Sequence, residues 1–413
     1  MKSTPLLIAL CVTLTSAKGV SAQASFQWEQ RASLPASGRY GPFTFVIGAY
    51  GYVAGGGNAS GTLTECWRYD PVADAWNQVA SLPTPRRHGA SFSVGGMGYV
   101  ACGQATTSSW TTTLYAYDPI SDSWATKASL PGTPRYGAHG FAINGFGYVG
   151  GGNSGSGTGP FLDDMWRYDP VSDTWTAATG IPGLARYGST AFTLNGKGYV
   201  HGGRDASLDF TNELWEFDPI AETWTSKPPM PGLGRSWTMV MAFQYDAVIA
   251  GGKDVGLNVF YDAYRYHPAS NTWNPIPDYP GASGWSGTSF GIGDRTFGGL
   301  GSHLLPSETY HNDLWELVKV DLNGVREPEE RDGRLRISPN PSNGDHVRIT
   351  ATCCVPPSGV ELQLINALGQ QVLSVPFIES EPVDLSGVAS GIYTLRLLAD
   401  RTTFMSGRIT VSR

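Results

Sequence analysis

Residues Met165–Trp175 read MWRYDPVSDTW, and versions of this stretch return along the chain. They are CWRYDPVADAW from Cys66, LYAYDPISDSW from Leu114, LWEFDPIAETW from Leu214, AYRYHPASNTW from Ala263 and a truncated LWELV from Leu314. Aromatic residues two apart, such as Trp166 and Tyr168, fall on one face of a pleated strand. Asp169-Pro170 then opens a tight turn, in which Pro presets φ and Asp accepts hydrogen bonds from the backbone ahead. Trp175 anchors the strand that returns. Each copy therefore reads as strand, turn, strand.

Working outward, the closing tryptophans are Trp28, Trp76, Trp124, Trp175, Trp224 and Trp273, at intervals of 48 to 51 residues. Between them recur Leu-Pro (Leu34-Pro35, Leu82-Pro83, Leu130-Pro131), an Arg-x-Gly, a strand, a glycine turn, and Gly-Tyr-Val running into a glycine pair. The pairs are Gly55-Gly56, Gly151-Gly152, Gly202-Gly203 and Gly251-Gly252, with Cys102-Gly103 and Leu300-Gly301 in the second and sixth units. Four strands per unit at a period near 50 residues is the spacing of propeller blades. On these residues, positions 28–318 resemble the Kelch-repeat β-propellers, of the kind found in the central domain of galactose oxidase. The resemblance implies an all-β, six-bladed propeller. Outer Trp strands follow only five of the six aromatic strands, so the N-terminal SFQWEQ, with Trp28, is expected to complete the sixth blade and remove an open edge.

Composition agrees. The chain has 413 residues, 53 of them Gly, with 12% aromatic and 15% charged residues, and no long amphipathic helical pattern. A net charge of −7 and the lack of a basic cluster argue against a nucleic-acid partner. At the N-terminus Lys2, the apolar Leu6–Leu14 and the small residues Val20-Ser21-Ala22 form an export signal, so residues 1–24 read as a signal peptide. That apolar run is too short to span a bilayer, and no transmembrane segment is expected. Large Leu10 ahead of Cys11 disfavours lipid attachment. Cys66, Cys102 and the neighbouring Cys353-Cys354 have no zinc-site spacing, and buried thiols are the simpler reading.

Residues 319–335 (KVDLNGVREPEERDGRL) are charged and outside the repeat, which marks a linker. From 336 to 413, period-two segments separated by Gly, Pro, Asn and Ser describe a small β-sandwich. Ser338-Pro339-Asn340-Pro341, Asn366-Ala367-Leu368-Gly369 with Val372, Asp384-Leu385-Ser386, and Ser390-Gly391-Ile392-Tyr393 before Leu395 and Leu397 stand there in order. On these motifs the tail resembles the C-terminal sorting domain of the type IX secretion system. Cys353-Cys354 departs from that pattern locally. The resemblance implies a Bacteroidota-type protein that crosses the inner membrane by its signal peptide. The secretion machinery, as a partner, would then carry it to the surface or outside the cell.

Pseudo-symmetry brings one residue per blade to the mouth of a propeller channel. The connections entering the inner strands carry Arg39, Arg87, Arg135, Arg186 and Arg235, with Trp285 at the sixth position. Those leaving the glycine pairs begin with Asn58, Gln104, Asn153, Arg204, Lys253 and Ser302-His303. Five guanidiniums at one mouth suit an anionic ligand such as a carboxylated sugar or an acidic peptide. Equally, arginines at a repeat position serve to staple blades together. Trp285 breaks the series and offers a stacking surface. The expected ligand set is Arg39, Arg87, Arg135, Arg186, Arg235, Trp285, Asn153, Arg204, Lys253 and His303, taking a glycan or a protein with no cofactor. The seven histidines lack ligand-pair spacing, which disfavours a copper oxidase. An enzyme on an acidic sugar, similar to the six-bladed Kelch sialic acid mutarotases, is the alternative. It would need a carboxylate, and Asp205 and Asp254 after two glycine pairs are the candidates. A structural surface protein is the third reading.

Overall fold

The computed structural model describes residues 25–106, 108–243, 245–303, 307–320 and, in the tail, 335–338, 346–351, 360–366, 370–378, 381–399 and 402–411. The expected signal peptide, most of the expected linker and Cys353-Cys354 lie outside the described residues.

Residues Ala24–Val320 form one compact unit. It contains six antiparallel four-stranded sheets arranged as blades. In the third blade the strands are His139–Ile143, Phe146–Gly150, Met165–Asp169 and Thr174–Ala178, in that order from the axis outward. The sixth blade joins Thr288–Ile292, Arg295–His303 and Thr309–Val320 to the N-terminal strand Ser25–Arg31. Trp28 lies opposite Leu317, and Ser25 opposite Val320. The expected N-terminal closure is therefore present. The blade runs on through Lys319 and Val320, which composition alone assigns to the linker.

The repeated stretch does what its chemistry dictates. Asp169 Oδ1 accepts from the Val171 amide at 2.9 Å and so shapes the turn. Tyr168 donates to Asp173 at 2.7 Å, as Tyr69 does to Asp74 and Tyr117 to Asp122. Every closing indole reaches back to the connector of the preceding blade. Trp76 donates to the Ala32 carbonyl, Trp124 to Ala80, Trp175 to Ala128, Trp224 to Thr179 and Trp273 to Pro228. Trp28 completes the circle on Pro277 at 3.0 Å.

Packing is inter-blade as well. Six buried clusters fill the spaces between neighbouring sheets. In the second, Phe92 and Tyr99 of one blade stack at 5.0 Å, and Tyr168 of the next lies 5.6 Å from Tyr99. The repeat's aromatic residue (Tyr69, Tyr117, Tyr168, Phe217 and Tyr266) is thus the large side chain that joins five of the blades to the one before.

The tail forms a second unit, described by itself. Leu335–Ser338, His346–Ala351 and Pro382–Asp384 make one sheet. Gln371–Pro376, Glu361–Ile365, Gly391–Ala399 and Thr402–Val411 make the other. Ile349, Leu362, Leu364, Leu395, Leu397 and Ile409 form their common core.

Candidate functional site: an aromatic cup on a closed channel

Two rings of backbone hydrogen bonds surround the axis and establish which residues are equivalent. In the first, the second residue of each glycine pair donates to the next blade. Gly56 binds the Arg86 carbonyl, Gly103 that of Arg135, Gly152 that of Arg186, Gly203 that of Arg235, Gly252 that of Gly284 and Gly301 that of Arg39. The equivalent positions are therefore Arg39, Arg86, Arg135, Arg186, Arg235 and Gly284. This corrects the sequence reading by one residue in two blades, since Arg87 and Trp285 belong to the following position.

The arginines of that series are staples. Arg39, Arg135 and Arg235 are at most 1% exposed and Arg186 is 3% exposed. Arg135 forms a two-pronged ion pair with Asp164, whose Oδ2 also accepts from Trp166 Nε1 at 2.7 Å. Arg39 pairs with Glu65 at 2.5 Å, Arg186 with Glu213 at 2.8 Å and Arg235 with Asp262 at 2.5 Å. Burial raises the carboxyls of Glu65, Asp164 and Glu213. Hydrogen bonds from the arginine and the indole outweigh it and hold all three below the ordinary range. Arg86 does the same work on the carbonyls of Cys102 and Thr113. Convergence of five free guanidiniums on the mouth, the sequence expectation, is not what the fold builds.

The second ring runs through Gly41, His88, Gly137, Gly188, Trp237 and Ser286. Each amide donates to the carbonyl of the residue before it in the circle, at 2.6 to 3.0 Å, and Gly41 closes on Ser286. All six have positive φ, between 53° and 68°. Three carry side chains, and these close the axis. The His88 imidazole lies across Gly41, where a Cβ would stand 2.1 Å from the ring, and its Nε2 meets Ser286 Oγ at 2.8 Å. The Trp237 indole covers Gly188 and Gly137 and packs on His88 with centroids 4.3 Å apart. Glycine is required beneath each ring because only a missing Cβ leaves room. Burial, with Arg87 and Lys253 nearby, pushes the His88 imidazole well below its usual pKa, so it is neutral.

Above this floor stand Tyr40, Arg87, Tyr136, Tyr187, Ser236 and Trp285, one from each blade. Each is bridged to a residue after the glycine pair: Gly57, Gln104, Asn153, Arg204, Lys253 and Ser302. Blade 1 thus contributes Gly57, with Asn58 one residue farther out and bonded to Ser37. In blade 6 Ser302 takes the ring position, and His303 sits beyond it, paired with Thr309.

The walls are aromatic. Tyr40 stacks on Tyr310 at 5.4 Å and lies 5.8 Å from Trp285. Tyr136 stands between Trp110 and Tyr187, and Phe161 adds a further ring beside Tyr187. Three cations are interleaved. Arg87 donates to the Tyr40 hydroxyl and to Gln104 Oε1. Arg204 donates to the carbonyls of Leu208 and, on the neighbouring blade, Gly157. Lys253 Nζ sits 3.8 Å from the centroid of the Trp285 ring. Burial lowers its pKa to about 8, with Arg204 adding to the fall and Glu308 opposing it. Asn153 is buried beside the Tyr136 hydroxyl.

Asp205 and Asp254 are committed elsewhere. Asp205 accepts from the amides of Ser207 and Asp209, and Asp254 from the amide and side chain of Asn258. Sequence reasoning passed over Tyr40, Tyr136 and Tyr187. Their signal was the recurring residue between Arg and Gly in Arg-Tyr-Gly. His88, Trp237 and Ser286 carried none, because each occupies a position that reads as a dispensable glycine.

Fold and repeat together define a Kelch-type β-propeller. Kelch motif models match residues 52–83, 148–180 and 185–231, and the model of a secretion system C-terminal sorting domain matches residues 336–411. The chain therefore carries Kelch motifs and a type IX sorting domain, which marks it for export to the cell surface or the extracellular space. Among solved structures, that of YjhT is similar to 71% of this chain over 98% of its own length, with a TM-score of 0.61 and 17% identity. At that identity the likeness concerns the fold. No curated protein matches the chain.

Proposed function

We propose that this exported propeller is a binding module that takes a glycan in the aromatic cup, working by display and without bond chemistry. The observation that carries the reading is the closed floor. His88, Trp237 and Ser286 turn what would be a channel into a dead-end recess walled by Tyr40, Tyr136, Tyr187 and Trp285. Flat rings around a recess suit the apolar faces of a pyranose, and neighbouring amide, hydroxyl and ammonium groups orient it. A protein surface has less to gain from such a cup unless a protruding segment enters it. The enzymatic alternative loses its two candidate carboxylates, since Asp205 and Asp254 are held by their own loops.

A glycan array probed with the labelled full-length protein tests this. Selective binding is expected, and it should fall at least tenfold when Tyr136 and Tyr187 are both changed to Ala. Binding that survives the double substitution would move the ligand to another face. Binding of a protein with no glycan signal would reassign the cup.

A further inference from the structure

The six walls of the cup are not equally satisfied. Around blades 2, 3 and 4 the polar side chains at the bridged positions have partners within the protein, Arg87 on Tyr40 and Gln104, Asn153 on Tyr136, and Arg204 on two carbonyls, while Trp110 Nε1, in the loop beside Tyr136, is a single buried donor without one. Blades 5 and 6 differ. Ser236 Oγ, Trp285 Nε1 and Ser302 Oγ are buried with no hydrogen-bond partner. Their residues are 2%, 6% and 0% exposed, respectively. Lys253 has the Trp285 ring face against its ammonium and, among the described residues, no carboxylate in ion-pair contact. These four residues are adjacent. Ser236 and Lys253 exchange both backbone hydrogen bonds, and Ser302 donates to the Trp285 carbonyl. Ser236 and Trp285 hold the ring position of Tyr40 and Tyr187, and Ser302 holds that of Lys253.

Leaving a buried donor without a partner costs about 1–3 kcal/mol. Native proteins retain such groups together at few places, and a ligand site is one of them. The donor types identify the missing partner. An indole N–H and an ammonium can only donate, and both hydroxyls can. The complement is a group rich in acceptors and negatively charged.

We infer that the blade 5–blade 6 wall is a receptor for an oxyanion borne by the bound saccharide, held by Lys253, Trp285, Ser236 and Ser302. This rests on the glycan reading of the cup, but the wall can be tested without a sugar. A carboxylate, a sulfate ester or a phosphate ester shares the required chemistry. Glu308, Arg204 and His88 are the titratable neighbours whose fields Lys253 feels or shapes.

The test uses full-length protein with ¹³C-dimethylated lysines, the Lys253 resonance being assigned by its loss in Lys253→Met. Inorganic sulfate, added at constant ionic strength against chloride, should shift that resonance saturably and raise its titration midpoint. Ser236→Ala with Ser302→Ala should weaken the effect at least fivefold. A Lys253 signal that ignores sulfate overturns the inference, whatever the cup binds. In a second arm, methyl glucuronide and glucose 6-sulfate are compared with methyl glucoside. The anionic sugars should bind at least tenfold tighter, with the preference lost in Lys253→Met; which of the two is tighter separates carboxylate from sulfate ester. Equal binding of charged and neutral sugars would overturn the oxyanion wall and leave the glycan cup standing. A sulfate response at Lys253 without any sugar binding would keep the wall and overturn the cup.

Discussion

The imidazole of His88 and the indole of Trp237 pack against each other across the propeller axis, with ring centroids 4.3 Å apart and the planes tilted by 39°. They come from the second and fifth blades, and both have a left-handed backbone, φ 54° and 58°. Three glycines beneath them make the contact possible. If the rings were small, or the glycines substituted, the recess would open into a channel or the blades would be forced apart.

Gly41→Ala tests this. Its Cβ would fall 2.1 Å from the His88 ring, so an overpacking loss of about 1–3 kcal/mol is expected on top of backbone strain. Adding His88→Ala should recover the steric part. A double-mutant cycle from urea melts measures the coupling, and additive effects would refute the overlay.

The arginine series divides into scaffold and site, and substitution separates them. Arg135→Ala removes the charge-assisted bonds to the partly exposed Asp164 and should cost about 1.5–3 kcal/mol. Arg87→Ala, at a half-buried position on the cup wall, should cost less than about 1 kcal/mol and weaken ligand binding instead. Thermal melts and the glycan array, run on both, distinguish the roles.

Acid should destabilise the propeller well above the carboxylate range. Burial, reinforced by nearby arginines, pushes the imidazoles of His139 and His201 down to about 3. Their unfolded values lie near 6.5, so between those limits the unfolded chain binds more protons. Stability is fully present above pH 6.5 and is lost as the pH falls, by about 1.4 kcal/mol per pH unit for each histidine. Urea midpoints at pH 7.5 and 5.0 should show the drop, and His201→Asn should shrink it. An unchanged pH dependence in that variant would rule out the buried neutral histidine.

The N-terminal strand is a structural part of the sixth blade. Removing Ser25–Arg31 strips seven paired residues from the strand Thr309–Val320, the Trp28–Pro277 hydrogen bond and the Arg31–Glu316 ion pair. A sharply lower melting temperature, or association through the exposed edge, is expected. Calorimetry and sedimentation read the two outcomes, and an unaltered monomer would contradict the closure.

Most of the architecture was legible in the repeat of MWRYDPVSDTW. Aromatic spacing, the Asp-Pro turn and the closing tryptophan are local signals, and their period counts the blades without any knowledge of contacts. The truncated copy at Leu314 and the early Trp28 even disclosed where the circle closes. The sorting tail was legible for the same reason, as ordered motifs on alternating strands.

The site was legible only in part. Sequence spacing aligned Arg87 and Trp285 with the stapling arginines, because Arg87-His88-Gly89 satisfies Arg-x-Gly whereas Arg86, the structural equivalent, does not. Inter-blade backbone hydrogen bonds such as Gly56 to the Arg86 carbonyl decide between the two, and these join residues of different blades. Likewise no local feature reveals that Asp164 consumes Arg135, or that His88, Trp237 and Ser286 meet on an axis. By itself, then, the sequence determined the six blades, their closure and the sorting tail, all of which follow from local chemistry repeated or ordered along the chain. The tertiary structure alone decided which cations are spent as staples, that the channel has a floor, and that Lys253, Ser236, Trp285 and Ser302 share one unsatisfied wall. Those facts depend on side chains from different blades reaching the same few ångströms, which no linear spacing encodes.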